Sequence, residues 1–184
     1  MDQNSPSRRA FLRKTAIASA GVAFLSGNAV SAVFNSSLDF NGYKSKSKRT
    51  TDLRKSNSGA YPVTVQGVIY HEQTQLPLAN AKVEVWHLSP NSQEIGYRAH
   101  FYTNEFGRYS FITDFPDHAP QFRPRIQFRL SHNQRERFNV LIFNKRQAFI
   151  NHLQWGNINK HGAEFYPQLT QKLGTFNVQF NQTL

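Results

Sequence analysis

The sequence predicts an all-β fold, an antiparallel β-sandwich of about seven or more short strands. Three observations support this fold class. Apolar and polar residues alternate over short runs, turn residues separate those runs at short intervals, and no long stretch follows the helical period of 3.6 residues. Short strands at this spacing are typical of two packed sheets. The prediction applies to residues 61–184, which we interpret as one domain.

The clearest strand lies where Val83 and Val85 alternate strictly with polar neighbours. Residues 104–107 predict a tight turn in which Gly107 takes a positive φ. Residues 144–173 have weak periodicity and predict loops, with room for one short helix. The predicted strands cover residues 62–70, 82–86, 99–103, 108–113, 125–131, 138–143 and 175–180.

The composition indicates how such a domain is held together. The 184 residues contain no cysteine, so disulfides cannot stabilise the fold. Sixteen Phe and seven Tyr supply large apolar area for a core. We therefore expect burial alone to stabilise the domain.

The net charge of +11 is distributed unevenly along the chain. Residues 1–55 hold ten Lys/Arg against three acids, whereas residues 56–184 hold twelve against eight. Residues 33–60 therefore predict a polar, basic linker, either a solvated tether or a segment that touches anionic lipid or a cell-wall polymer. Because the excess charge is concentrated outside the folded domain, we do not expect nucleic-acid binding.

The N-terminus has the three parts of an export signal. Arg8 and Arg9, followed by Phe-Leu and further basic residues, resemble a bacterial twin-arginine signal. The apolar stretch over residues 15–25 is shorter than the roughly 20 residues of a membrane span. Small residues up to Ala32 predict cleavage before Val33. We expect residues 1–32 to be a signal peptide read by the twin-arginine translocase, and the product to be periplasmic or secreted; an uncleaved anchor is the alternative.

Several segments of the domain resemble the intradiol ring-cleavage dioxygenase family. Residues 65–87 end in Glu-Val-Trp-His, as does the family's opening strand pair. Residues 103–111 resemble its T-D-x-x-G-x-Y-x-F hairpin, with Asn104 at the Asp position, and residues 113–116 resemble T-I-x-P, with Asp114 at the Ile position. Residues 123–129 stand where the family carries R-P-A-H-I-H-F, and residues 176–178 resemble its closing strand. Carboxypeptidase-regulatory and transthyretin-like sandwiches share the earlier part of this pattern.

The resemblance implies a ferric ion held by two tyrosines and two histidines, because phenolates stabilise iron(III) and imidazoles complete the shell. Tyr97 stands near the position of the first tyrosine. The position of the second falls on Ala119, beside His118. The histidine positions fall on Arg125 and Gln127 if one residue is deleted after Pro124, and otherwise on Ile126 and Phe128.

Neither alignment supplies a histidine, so we expect the inherited iron site to be lost. A fixed charge at Arg125 would add about 4 kcal/mol of repulsion per unit charge at roughly 4 Å and an effective dielectric near 20. We expect no cofactor, with Fe(III) bound only if the protein is active. The expected function is binding of an aromatic or anionic small molecule, or of an envelope partner.

Two rival functions follow from the same residues. The first is an active dioxygenase for catechol-like aromatics, whose ligands are Tyr97, His87, His100 and His118. The second is a structural sandwich that shares only the β pattern.

A basic strand also suggests a ligand pocket. Alternation places Arg123, Arg125, Gln127 and Arg129 on one face. If this face lines the cleft, Arg123 and Arg125 are candidate catalytic residues, and Tyr97, Arg125 and Gln127 are candidate ligand-binding residues. If it faces water, it is a solvated strand face.

Overall fold

The computed structural model of the protein describes residues 43–44, 46–56, 58–89, 95–116, 123–144, 147–150, 160–172 and 174–184. These residues form short β-strands and one 3₁₀ turn, and no helix among them is long and apolar enough to cross a membrane. The leader predicted over residues 1–32 lies outside the described residues. The strands are β1 (Lys48–Arg49), β2 (Pro62–Tyr70), β3 (Lys82–His87), β4 (Tyr97–Tyr102), β5 (Arg108–Asp114), β6 (Arg125–His132), β7 (Arg135–Phe143), β8 (Ala148–Ile150), β9 (Gln168–Lys172), β10 (Thr175–Gln179) and β11 (Gln182–Thr183).

Two sheets form the predicted sandwich. The first has the order β1-β4-β3-β6-β7-β8. In the second, β2 pairs with β5, β10 and β11, and β10 also pairs with β9. The predicted sandwich is confirmed, but both sheets are mixed, because β1 runs parallel to β4, and β10 and β11 run parallel to β2.

The core lies between the sheets, and the alternation of buried side chains that builds it is clearest in β2. In β2 the side chains of Val63, Val65 and Ile69 are fully buried, while their neighbours are more exposed. Aromatic rings connect the two sheets, since Phe128 contacts Phe111 and Phe180 with ring centroids 6.0 and 5.7 Å apart. Burial of each such side chain contributes roughly 1.5–3 kcal/mol.

The predicted turn at residues 104–107 is present, but it joins strands of different sheets. The Asn104 side chain accepts hydrogen bonds from the backbone N–H groups of Phe106 and Arg108, and Gly107 has φ 68°. Because β4 belongs to the first sheet and β5 to the second, the turn forms a corner rather than a flat hairpin. The end of β5 therefore lies near the start of β4.

Part of the predicted linker packs on the sandwich. Within residues 43–55, which we call the strap, β1 pairs with β4, and Leu53 is buried in the core. The backbone of Leu53 also donates to the Ile112 carbonyl on β5. The strap thus contacts an edge strand of each sheet, and residues 43–60 are not simply the solvated tether that their composition suggested.

Candidate functional site

A buried tyrosine and a buried aspartate meet where β4 begins and β5 ends. The Tyr97 hydroxyl donates a 2.5 Å hydrogen bond to Oδ2 of Asp114. The same carboxylate oxygen accepts the backbone N–H of Lys55 at 3.0 Å. Tyr97 is 2 % exposed and Asp114 is 4 % exposed. Burial, followed by the Asp114 carboxylate, raises the pKa of Tyr97 well above its ordinary value, so the phenol keeps its proton.

His87 lies against the other side of this tyrosine. The two rings are stacked, with centroids 4.4 Å apart and planes inclined by 16°. His87 Nδ1 lies 2.7 Å from the Leu88 carbonyl, which can only accept, so Nδ1 carries the proton and Nε2 accepts from the Thr113 hydroxyl at 2.7 Å. Burial lowers the pKa of His87 to about 4. The imidazole is therefore neutral at pH 7, and both its nitrogens have partners within the protein.

A cation from the strap completes the cluster. The Lys55 ammonium lies 4.6 Å from the centroid of the Tyr97 ring, and its charge also contributes to the lowered pKa of His87. Gly96 leaves room for this side chain, because a Cβ at that position would lie 2.8 Å from Lys55 Nζ. We call Lys55, His87, Tyr97 and Asp114 the tyrosine cluster.

An open depression lies beside the tyrosine cluster, and it has a volume of about 500 Å³. Arg54 on its rim is paired with Asp52 at 2.7 Å, whereas Lys55 forms no ion pair among the described residues. The surface thus offers one unmatched ammonium to a ligand. The lining residues are Asp52, Arg54, Lys55, Ser56, Ser58, Gly59, Ala60, Pro62 and Asp114.

The inner face of the first sheet does not fit the ferric site that the resemblance implies. Tyr97 lies on this face together with Ile126 and Phe128, both fully buried in the core. The alignment without a gap therefore puts the two histidine positions on the same side as Tyr97, and both positions hold hydrocarbon side chains. Neither can ligate a metal.

The basic strand lies on the opposite face of the first sheet. Alternation in β6 places Arg125, Gln127 and Arg129 away from the core. Arg129 pairs with two acids, and the Arg123 guanidinium lies 5.4 Å from the Phe149 ring. The structure thus does not bring Arg125 and Gln127 to the same side as Tyr97, and the set of ligand-binding residues predicted from sequence is divided between two faces.

The structure brings together only part of the ligand set that was considered for an active dioxygenase. His87 and Tyr97 are in contact, but His100 lies on the outer face, where its Nδ1 is 3.1 Å from the Ser47 hydroxyl. His118 and Ala119 lie outside the described residues. Within the part of the chain that the structure describes, no group of three or more His, Cys, Asp or Glu side chains is arranged to hold a metal ion.

Two members of the tyrosine cluster, Lys55 and Asp114, were not identified as candidate site residues from the sequence. Asp114 stands where the T-I-x-P motif has isoleucine. This departure from the motif is the feature of the sequence that could have identified Asp114 as a site residue. Lys55 had no signal of its own, because its segment was interpreted as linker. Its contact with Tyr97 depends on how the strap crosses both sheets.

The comparison with solved structures agrees with this architecture. No protein-family model and no curated protein matches the chain. Among solved structures, it is similar to the dioxygenase domain of a dioxygenase carbohydrate-binding protein fusion from Streptomyces sp. SirexAA-E, at 17 % identity and TM-score 0.59 over 77 % of this chain and 91 % of that one. It is also similar to an intradiol ring-cleavage dioxygenase from Tetranychus urticae, at 15 % identity and TM-score 0.53 over 77 % of this chain and 88 % of that one.

Catechol 1,2-dioxygenase from Pseudomonas arvilla C-1 is similar at 15 % identity and TM-score 0.54, over 77 % of this chain and 59 % of that one. The described domain has a dioxygenase β-sandwich fold. At these identities the likeness concerns the fold alone.

Proposed function

We propose that this protein is an exported, non-catalytic domain with the intradiol dioxygenase fold, which binds an anionic or aromatic small molecule in place of performing iron chemistry. The observation that carries the proposal is the hydrogen bond from the Tyr97 phenol to the Asp114 carboxylate. A tyrosine binds ferric iron as a phenolate, whereas burial and Asp114 favour the protonated phenol here. Of the candidate histidine ligands that the structure describes, His87 is the one that contacts Tyr97, and both its ring nitrogens are engaged.

The positive charge of Lys55 also argues against a bound ferric ion. The Lys55 ammonium lies against the Tyr97 ring, so a cation is already present beside the phenol. If a metal on the Tyr97 oxygen lay about 4 Å from this ammonium, each unit of its charge would be repelled by about 4 kcal/mol at an effective dielectric near 20. A ferric ion carries three such units. The residues present therefore disfavour iron, and no step of the proposed function requires it.

The depression beside Lys55 supports ligand binding. A carboxylate placed there would meet the unmatched ammonium of Lys55, and the hydroxyl-bearing Ser56 and Ser58 line the same surface. The opening is shallow and polar, which favours a small, charged molecule over a large apolar one. We infer that an aromatic or aliphatic acid fits this surface.

The experiment uses benzoate, which combines a carboxylate with a ring. Titration of the ¹⁵N-labelled protein should shift amide resonances of residues 52–60 and 114 in a saturable way. Replacing Lys55 with Gln should abolish the shifts, whereas Lys160→Gln, at an exposed site of the same charge, should leave them unchanged. Equal shifts in the wild type and the Lys55→Gln variant, or no saturable shift, would overturn the proposed ligand site.

The export part of the proposal rests on Arg8, Arg9 and the small residues that end at Ala32. N-terminal sequencing of protein recovered outside the cytoplasm should begin at Val33. Replacing both arginines with Lys should retain the chain in the cytoplasm. Export of that variant at the wild-type level would contradict the twin-arginine route.

A further inference from the structure

The loop that follows β2 contains a histidine, His71, with a hydrogen-bond donor at each of its two ring nitrogens. The backbone N–H groups of Gln73 and Thr74 point at Nδ1, at 3.2 and 3.3 Å. On the other side of the ring, Nη1 of Arg135 lies 2.9 Å from Nε2. A neutral imidazole has one acceptor nitrogen and one N–H donor, and an imidazolium has no acceptor. One of the two contacts therefore joins two donors.

The contact with Arg135 is the one that lacks an acceptor. The N–H groups at Nδ1 belong to the backbone of a loop that two further hydrogen bonds close, from the Gln75 N–H to the His71 carbonyl and from the His71 N–H to the Leu76 carbonyl. Nδ1 therefore accepts, and the neutral ring carries its proton on Nε2. This N–H and the guanidinium of Arg135 then face each other, and an acceptor beside them would satisfy both.

The described part of the chain pairs Arg135 with no acid. Two acids are close to it in the fold or the sequence, but both are engaged elsewhere. Glu72 lies on the same loop as the histidine and is bound by Arg137 at 2.8 Å. Glu136 follows Arg135 directly, so alternation in β7 directs it to the opposite face, where it pairs with Arg129. The acceptor for the two facing donors therefore has to come from a ligand.

The groups around these donors carry more positive than negative charge. The hydrogen bond from Arg137 lowers the pKa of Glu72, and Lys160 and His161 lower it further as cations. Lys160 is exposed and has no ion-pair partner among the described residues. His161 Nδ1 accepts from Gln75 Nε2 at 2.9 Å, so this ring also keeps its N–H at Nε2. The surroundings thus offer cations and N–H donors.

We propose that His71 and Arg135 bind a divalent tetrahedral oxyanion of the phosphate type, one oxygen of which accepts from both His71 Nε2 and Arg135 Nη1. Arginine forms strong charge-assisted hydrogen bonds with such oxygens, and Lys160 adds positive charge nearby. Two negative charges match this excess better than the single charge of a carboxylate. None of these residues lines the depression beside Lys55, so the site is separate from the proposed ligand site.

Titration of the ¹⁵N-labelled full chain with inorganic phosphate tests the site, at constant ionic strength and about pH 8, where phosphate is divalent and histidine is neutral. The side-chain nitrogens of His71 and Arg135 and the amides of residues 71–75 should shift in a saturable way. Arg135→Gln should weaken binding about tenfold or more, because a charge-assisted hydrogen bond is lost. The matched control Arg49→Gln removes an exposed arginine from β1, which three strands separate from β7, and should change the affinity less than about twofold.

A second variant removes the other donor and preserves the loop. In His71→Asn the side-chain oxygen can still accept the N–H groups of the loop, but the Nε2 donor is lost. Phosphate binding should therefore weaken about tenfold, while the amide resonances of residues 73–75 stay close to their wild-type positions.

Four outcomes would overturn the proposal. The first two are the absence of a saturable shift and equal phosphate affinity in the wild type and Arg135→Gln. The third is acetate binding as tight as phosphate binding, which would show that the site does not select a divalent oxyanion. The fourth is a ring ¹⁵N spectrum of the free protein with the His71 proton on Nδ1, which would remove the pair of facing donors. None of these outcomes bears on benzoate binding at Lys55.

Discussion

The Lys55 ammonium lies 4.6 Å from the centre of the Tyr97 ring, whose hydroxyl is hydrogen-bonded to Asp114. This arrangement places a lysine from the strap against a tyrosine from β4 and a carboxylate from β5. The phenol keeps its proton, and the protein itself supplies the nearby positive charge. Under the proposed function, hydrogen bonds and Lys55 occupy the place that a phenolate and a bound cation would take in an iron protein.

A substitution at Asp114 should change the pKa of the Tyr97 phenol. Replacing Asp114 with Asn removes the carboxylate charge, so the Tyr97 pKa should fall toward the ordinary value while burial still holds it above that value. The ¹³Cζ resonance of tyrosine, followed from pH 8 to pH 12, measures this change, and Tyr97→Phe assigns the signal. An unchanged Tyr97 titration in the Asn variant would contradict the role of Asp114.

The buried imidazole of His87 should make stability depend on pH. Its pKa is lowered to about 4 in the folded state, so the unfolded chain binds the proton more readily. Stability should therefore decrease as the pH falls from about 6.5 to about 4, with a loss of about 2 kcal/mol between pH 7 and pH 5.

Urea unfolding at several pH values measures the effect of His87. The His87→Gln variant keeps a polar side chain that cannot titrate, and its stability should vary less over the same range. A wild-type stability that is constant between pH 7 and pH 5, or the same pH dependence in both proteins, would contradict the assignment of a neutral, buried His87.

Glu84 anchors the outer face of the first sheet beneath the strap. Its side chain is 3 % exposed and pairs with Arg129 at 2.7 Å and Lys82 at 2.9 Å. Replacement of Glu84 with Gln leaves these two cations without their shared anion, so the free energy of unfolding should fall by about 3 kcal/mol.

Glu136 supplies the matched control for Glu84. It pairs with the same Arg129 but its side chain is 53 % exposed, so Glu136→Gln should cost less than about 1 kcal/mol. Urea unfolding compares the two variants. Equal losses would mean that burial of Glu84 does not determine its contribution.

Gly67 in β2 is predicted to tolerate no side chain. A Cβ at this position would overlap the carbonyl oxygen of Phe180, which is backbone and cannot move aside. Gly67→Ala should destabilise the domain by about 3 kcal/mol. Gly59→Ala meets no atom within 4 Å but has φ 62°, so it should cost only about 1 kcal/mol. Thermal unfolding of both variants checks this order.

Most of the sandwich could be predicted from the sequence because its inner strands alternate cleanly. Val83 and Val85 were placed on one face, and both are buried. β9 was missed because it is an exposed edge strand of mainly polar residues, and such strands carry little periodicity. The parallel pairing of β10 with β2 was missed because alternation within a strand is the same for either direction of its neighbour.

The candidate site was harder to predict than the fold. Tyr97 was identified from its position after the Glu-Val-Trp-His segment, but its partners come from distant parts of the chain. Lys55 lies in a segment whose composition resembles a linker, and only the crossing of the strap over both sheets brings it to the ring. The sequence interpretation grouped His87 and His100 as candidate ligands of one site, but alternation places their side chains on opposite faces of the first sheet.

The central claim is that the tyrosine cluster replaces a ferric site, and iron reconstitution tests it most directly. The purified protein is incubated with ferrous iron in air, passed through a desalting column, and examined for bound iron and for absorption in the visible range. We expect less than about a tenth of an equivalent of iron and a colourless protein, because Tyr97 keeps its proton and Lys55 repels the ion. One equivalent of iron, with a visible band that disappears in Tyr97→Phe, would contradict the account and support an active dioxygenase.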